Sequence, residues 1–267
     1  MNPLERSLIE KAGYANGWEN VRESTPERVA LFSARHKAEA IIMPPPAQGG
    51  PWQVIFPNGP PATELARSLP DMQRPDGGFE AHGEAALGKL LRRAAELAMS
   101  LPNHAAEIYA EEIAKIEAQP PAATEALRLV KQRIGQNLFR QALMDYWAGA
   151  CAVTGLDLPE ALRASHAKPW AQCDTEAERL DVFNGFLLTA HLDALFDQGL
   201  MTFADDGTAI LSKRLTVAQT TLLCLTGGQP VNLRWVSPAH LPYLAWHRVN
   251  IFQPCVDQTT PYIQPIP

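Results

Sequence analysis

One short segment in the second half of the chain constrains the fold more than any other part. An apolar run ends at Ser165 and His166 and is followed by the letters KPW. After a loop, the apolar stretch NGFLL opens at Asn184, Thr189 offers an N-cap for TAHLDALFDQG, and Gly199 stands where such a helix would end. The order strand, loop, strand, helix predicts a β-hairpin whose exit strand leads into a short helix.

Composition predicts a folded, soluble protein. The chain has 267 residues, of which 46% are hydrophobic, and a net charge of −6, which argues against a surface that binds polyanions everywhere. The four cysteines form no C-x-x-C pair, so a zinc ribbon or a dithiol redox motif is not indicated, and reduced thiols in the cytoplasm are the simplest interpretation. The opening MNPLERSLIEK is too charged for a signal peptide, and no apolar run is long enough to cross a bilayer. We therefore expect no membrane partner.

Proline and glycine divide the chain into three parts. A helix near residues 3–12 and a QVIF strand among breakers precede helices predicted over 84–101 and 105–118. The pair Pro120-Pro121 ends this region and predicts a domain boundary. We expect an α+β protein with a mixed accessory domain at 1–120, a catalytic core with a leading basic helix at 121–214, and a C-terminal extension at 215–267 that packs on the core.

The leading helix, predicted over 124–147, carries four cations: Arg128, Lys131, Arg133 and Arg140. Two interpretations stay open. The cations could line an ordinary solvated helix face, or they could form a strip that contacts phosphate groups.

Two aspartates on the short helix suggest a metal site. Asp193 and Asp197 are four residues apart, which places both carboxylates on one face of a helix. Like charges at this spacing repel unless a cation lies between them, and an oxygen-ligated divalent ion suits the pair. Packed against the hairpin, the helix would bring these carboxylates near His166, which could then act as a base beside a metal.

The stretches SHAKPW, ERLDVFNGFLL and HLDALFDQGLMTFADDG together resemble the HNH endonuclease family, in its restriction-endonuclease-like branch. The resemblance runs from about Arg133 to Leu211, with a looser similarity at PYLAWHR. It implies a ββα-metal fold. It also implies that His166 is the general base for a water that attacks phosphorus, and that Asn184 ties the hairpin together by hydrogen bonds.

The same resemblance implies a metal ligand at Asp193, supported by Asp197, with His191 as a substitute ligand or a phosphate contact. Ser165 occupies a position where many members have an aspartate or histidine ligand, so a hydroxyl here would hold the ion more weakly. Mg²⁺ is the expected ion, and Mn²⁺ or another divalent ion is an alternative.

We therefore expect a metal-dependent DNA endonuclease, in restriction or defence, with Arg163, Lys168 and the basic helix on the DNA backbone. A homodimer would suit double-strand cleavage. One alternative is a DNA-binding or scaffolding protein that keeps the fold but does not cleave. Another is a nuclease acting on RNA or single strands. Residues 1–120 could select the target, bind a protein or be purely structural.

Several other features favour structural roles. His240 and His247 lie among aromatic residues and prolines and are expected to pack, as is Cys151 under the hairpin. Asp205 and Asp206 precede a glycine between LMTF and TAIL, which predicts a turn of a second hairpin rather than a calcium loop.

Overall fold

The computed structural model describes residues 1–47, 49–57, 62–101, 104–118, 124–226 and 231–254. The chain divides into two compact units. The first comprises Met1–Ala148 with Leu180–Val182, and the second comprises Gly149–Arg179 with Phe183–Pro267. Helices and strands are mixed in sequence order, which confirms the predicted α+β class.

The two compact units have different bounds from the three predicted sequence ranges, which stay a prediction of domain organisation. The pair Pro120-Pro121 lies outside the described residues, and the packing division falls after Ala148. The predicted leading helix of the core therefore packs within the first unit, because its apolar face contacts the two helices that precede it. The predicted extension belongs to the second unit as far as it is described; residues 227–230 and 255–267 of it lie outside the described residues.

The first unit is a five-stranded antiparallel sheet with helices. Its strands pair in sequence order, and its longer helices pack against one another. The elements are α1 (Pro3–Ala15), β1 (Asn20–Ser24), β2 (Val29–Phe32), β3 (Glu39–Met43), β4 (Trp52–Ile55), α2 (Ala62–Ser68), β5 (Phe79–Ala81), α3 (Gly83–Ser100), α4 (His104–Glu117) and α5 (Thr124–Tyr146).

Local sequence explains where these helices begin and pack. Asn2 caps α1 in a capping box with Glu5, and Pro3 occupies the first turn, where a missing N–H costs nothing. The apolar residues of α3 recur at helical spacing, and Leu87, Leu90 and Leu91 are fully buried.

The second unit contains the predicted hairpin and helix. Its elements are β6 (Leu162–His166), α6 (Glu176–Arg179), β7 (Gly185–Thr189), α7 (Ala190–Asp197), β8 (Met201–Phe203), β9 (Ala209–Leu211), α8 (Val217–Leu222) and α9 (Leu241–Asn250). Strands β6 and β7 pair antiparallel, and β8 and β9 form the second hairpin around the predicted turn at Asp205 and Asp206.

An aromatic core holds this unit together. The rings of Phe186, Phe196 and Phe203 meet with centroids 5.7–5.8 Å apart, which joins β7, α7 and β8. His247 of α9 stacks on Phe196 with centroids 3.8 Å apart, and His240 stacks on Phe186. Both histidines are buried, so they pack as the sequence predicted.

Gly199 ends α7 in the left-handed conformation that its position predicts. Its φ is +66°, and its carbonyl accepts a hydrogen bond from the backbone N–H of Gln253.

No helix in the described part of the chain is both long and apolar enough to span a bilayer.

Candidate active site

The register of the β6–β7 hairpin fixes the position of His166. This residue is the last of β6 and lies opposite Gly185, while Ser165 lies opposite Phe186. Helix α7 follows β7 directly and packs on β6, because its apolar residues Leu192 and Phe196 are buried against the hairpin. The catalytic candidates of the strand and of the helix thus belong to one local unit.

A backbone carbonyl orients the His166 ring. The Nε2 atom of His166 lies 2.9 Å from the carbonyl oxygen of Arg179 and donates to it, because a carbonyl oxygen can only accept. In the neutral ring this bond leaves Nδ1 as the unprotonated nitrogen. Burial lowers the pKa of His166 to about 4, although the hydrogen bond to Arg179 acts in the opposite direction. The ring is therefore neutral at pH 7, with its basic nitrogen at Nδ1.

Two carboxylates and a hydroxyl group meet where α7 crosses β6. Ser165 is 1% exposed, and its Oγ donates to Oδ1 of Asp197 over 3.2 Å. Desolvation by surrounding atoms and then the charge of Asp193 raise the pKa of Asp197 to about 6, although the residue as a whole is exposed. Desolvation also raises the pKa of Asp193, whereas Ser165 and the charge of Arg163 lower it. The two carboxylates are therefore close enough to repel each other.

The base and the helix carboxylate face one pocket. His166, Asp197, Trp170 and His247 line a cavity of about 390 Å³ that lies within the second unit. His247 cannot serve there as a base, because its ring is already engaged: Nε2 contacts the carbonyl of Phe196 at 3.1 Å, and Nδ1 contacts a threonine hydroxyl at 2.9 Å. Of the two histidines that line the pocket, His166 stays the predicted general base.

Asn184 organises the loop between the two strands. It is fully buried, and its Oδ1 accepts a hydrogen bond from the backbone N–H of Lys168 over 2.8 Å. Its Nδ2 lies 3.2 Å from the carbonyl of Lys168, 3.1 Å from that of Glu178 and 3.3 Å from Sγ of Cys173. The side chain does not line the pocket. These hydrogen bonds hold the loop together, and the role that the resemblance implies for Asn184 stays a prediction.

The cations predicted around the hairpin differ in their availability. The ammonium group of Lys168 forms ion pairs with Asp174 at 3.1 Å and Glu178 at 2.8 Å. A phosphate contact by Lys168 would therefore have to break both pairs. Arg163 is exposed, and among the described residues its guanidinium donates to the backbone carbonyls of Glu160 and Leu162. DNA contacts by Arg163 and Lys168 stay predictions.

His191 lies away from the carboxylate pair. It is exposed and lines a different, mainly apolar groove of about 380 Å³ with Val153, Leu192 and Cys224. The physical reason is the helix period, which turns residues two apart to different faces. The arrangement brings Asp193 and Asp197 together with Ser165 and leaves His191 outside that group.

The four cations of α5 belong to the first unit. Arg128 and Arg133 are exposed, Arg140 is half-buried, and Lys131 forms an ion pair with Glu117. Their contact with DNA stays a prediction.

Sequence reasoning missed two partners of the base. Arg179 supplies the carbonyl that orients His166, and Trp170 places its ring edge-on to the imidazole with centroids 5.9 Å apart. No local pattern marks a backbone carbonyl as a partner. The letters KPW after the strand display Trp170, but the pattern predicts only where the strand ends.

The donor atoms present fit a hard divalent cation. Within the described ranges, no group of three or more His, Cys, Asp and Glu side chains is arranged to hold a metal ion. Mg²⁺, however, is commonly held by one or two carboxylates while it retains several waters. Asp193 and Asp197 offer such a pair. No lysine or arginine forms an ion pair with either among the described residues, although the charge of Arg163 lowers the pKa of Asp193.

A comparison with protein families agrees with this geometry. Residues 151–204 match the model of the HNH endonuclease family, a range that contains β6, β7 and α7 complete. No curated protein shows a significant match to the chain. The matched range holds the candidate base, the buried asparagine and the helix carboxylates. The match of residues 151–204 confirms the resemblance to the HNH endonuclease family that the sequence predicts.

Proposed function

We propose that this protein is a metal-dependent DNA endonuclease in which His166 is the general base. The observation that carries the proposal is the shared pocket: the imidazole of His166 and the carboxylate of Asp197 line one cavity, although they come from different elements. Phosphodiester hydrolysis needs an activated water and a stabilised negative charge on the phosphate. The match of residues 151–204 to the HNH endonuclease family also supports nuclease activity.

His166 accepts the proton of the attacking water at Nδ1. The hydrogen bond from Nε2 to the carbonyl of Arg179 holds the ring in the tautomer that this step requires. Because burial lowers the pKa of His166 to about 4, the ring is neutral and able to accept a proton at pH 7. A phosphate in the pocket would favour the protonated form, since an opposite charge nearby raises the pKa of a histidine. The base thus becomes stronger when the substrate is bound.

Asp193 and Asp197 would hold a divalent ion, of which Mg²⁺ suits an all-oxygen donor set best. When bound, such an ion stabilises the charge that develops on the phosphate and on the leaving oxygen. Ser165 orients the carboxylate of Asp197 through its hydrogen bond, so its role in this proposal is to position a ligand rather than to replace one.

DNA is the proposed substrate, and restriction or defence the proposed context. Arg163 is exposed beside Asp193 and would contact a phosphate next to the scissile one. The exposed cations Arg128 and Arg133 of α5 would add contacts whose contribution falls with salt. Such contacts do not distinguish one sequence from another. We therefore assign target selection to the first unit, whose sheet and helices lie outside the family match.

The direct test is cleavage of supercoiled plasmid, methylated and unmethylated, with Mg²⁺, Mn²⁺ or a chelator. We expect nicked and linear products with either metal and none with the chelator. Binding of the plasmid without cleavage under every metal condition would favour the alternative, a protein that keeps the HNH fold for binding alone. Cleavage of RNA or single strands in place of duplex DNA would correct the substrate.

A further inference from the structure

We propose that Trp170 binds the nucleic acid by stacking on the base of a nucleotide next to the scissile phosphate. This inference rests on the proposed nuclease function, because it assigns a role at the same pocket. It adds a substrate-contacting aromatic residue to a site otherwise built from a base and two carboxylates.

The position of Trp170 is the first argument. The residue opens a short 3-10 turn, Trp170–Gln172, in the loop that follows β6. Its ring is only half-buried and lines the cavity that His166 and Asp197 also line. Its centroid lies 5.9 Å from that of His166, with the two planes at 89°. A nucleotide whose phosphate reached the imidazole of His166 would therefore place its sugar and nucleobase near the indole.

The ring of Trp170 is held in place before any substrate arrives. The guanidinium of Arg179 lies over the indole, 5.9 Å from its centroid, and Nε of Arg179 donates to the carbonyl of Trp170 over 3.1 Å. The same guanidinium donates to the carbonyl of Cys173. The backbone carbonyl of Arg179 meanwhile orients His166. One arginine thus fixes both rings, so little conformational freedom remains to be lost on binding.

The chemistry of the pocket is the third argument. The wall of the pocket includes the carboxylate of Asp197, which repels a phosphate unless a cation is bound, and the ammonium group of Lys168 is held in two ion pairs. A neutral aromatic face contributes affinity that does not depend on charge, because every base presents a π face. The Nε1–H of Trp170 forms no hydrogen bond within the described ranges and is a further donor for a base or phosphate oxygen.

The experiment measures stacking apart from catalysis. Single-stranded oligonucleotides containing the fluorescent base 2-aminopurine are titrated with the full-length His166→Ala protein in Ca²⁺. Stacking on an indole quenches this fluorophore. We expect quenching with His166→Ala and its loss with His166→Ala/Trp170→Ala, together with a weakening of binding by about five- to a hundredfold. Trp246→Ala in the same background is the control, because Trp246 is also half-buried in the second unit but does not line this pocket.

A second measurement keeps the inference falsifiable if the alanine variant does not fold. Trp170→Phe retains an aromatic face and should keep most of the affinity. An oligonucleotide with an abasic site in place of the stacked base tests the same contact without changing the protein. It should bind more weakly than the intact oligonucleotide to the protein that has Trp170, but not to the Trp170→Ala variant. Equal affinity and equal quenching with and without Trp170 would overturn the inference, as would an abasic penalty that does not depend on this residue.

The outcomes also separate this inference from the proposed function. Quenching that depends on Trp170, in a protein that never cleaves, would support the stacking role and contradict the nuclease. Metal-dependent cleavage with an unchanged KM in Trp170→Ala would support the nuclease and contradict the stacking role. If Trp170 only shields His166, its removal would change kcat and the pH profile while leaving the abasic penalty intact.

Discussion

The hydroxyl group of Ser165 donates a hydrogen bond to Oδ1 of Asp197 over 3.2 Å and so ties the end of α7 to β6. The donor is 1% exposed, and the acceptor is one of two neighbouring carboxylates whose charges repel each other. Hydrogen bonds to a charged group contribute roughly 1.5–3 kcal/mol. Loss of this hydrogen bond should therefore measurably change the affinity of the Asp197 carboxylate for a cation.

Ser165→Ala should weaken the binding of Mn²⁺ about tenfold, because the carboxylate of Asp197 loses its orienting donor and its repulsion from Asp193 is less relieved. Isothermal titration calorimetry measures the effect without any turnover. His191→Ala is the matched control, since His191 is on the same helix but lines another groove, and it should leave the affinity unchanged. A larger loss for His191→Ala than for Ser165→Ala would show that the ligand set is wrong.

Asn184→Ala should lower the free energy of unfolding by about 3 kcal/mol, because it leaves the N–H of Lys168 and the carbonyl of Glu178 without their buried partner. Urea denaturation measures the change. Asn250→Ala removes an exposed side chain that donates to the carbonyl of Trp246, and it should change stability by no more than about 0.5 kcal/mol. Equal effects of the two variants would contradict the organising role of Asn184.

Gly199→Ala should destabilise the protein by about 2 kcal/mol or more. Its φ of +66° disfavours a side chain, and a Cβ there would lie 2.1 Å from the carbonyl oxygen of Ile251. Gly155 has a similar φ of +71°, but a Cβ there would meet nothing within 4 Å. Gly155→Ala should therefore cost only about 1 kcal/mol, the penalty of the left-handed backbone alone. Comparing the two melting temperatures separates crowding from backbone strain, and equal shifts would refute the crowding argument.

Asp145→Asn should stabilise the protein at pH 7. Burial raises the pKa of Asp145 to about 6, although a hydrogen bond from Gln141 acts against the rise. A carboxyl group whose folded pKa exceeds its unfolded value of about 3.9 stabilises the fold below that value and loses this contribution as the pH rises through 6. The variant should gain about 1–2 kcal/mol at pH 7, and the gain should vanish near pH 4. A gain that persists at pH 4 would contradict the assignment.

Much of the fold follows from local patterns. The helical spacing predicts α3 and α4 to within a residue or two, and the alternation of breakers with NGFLL predicts β7 and α7. The placement of Gly199 predicts the end of α7 because only a left-handed residue closes a helix in that way. These features depend on neighbours a few residues apart, which the sequence displays directly.

Features that depend on distant neighbours could not be predicted in the same way. Helix α5 packs in the first unit because it contacts helices that lie earlier in the chain. Such contacts are not visible in the local pattern, from which α5 is predicted to lead the catalytic core. The pairing of Lys168 with Asp174 and Glu178 depends on the path of an irregular loop. The carbonyl of Arg179 beside His166 is a backbone atom and leaves no signature in residue types.

The most direct test of the central claim compares His166→Ala with the unaltered protein in two assays: single-turnover DNA cleavage with Mg²⁺, and DNA affinity in Ca²⁺. The account predicts that the variant loses cleavage by at least about a hundredfold while its affinity for DNA stays within about threefold, because the general base acts in the chemical step. Cleavage by the variant at the rate of the unaltered protein would contradict His166 as the base.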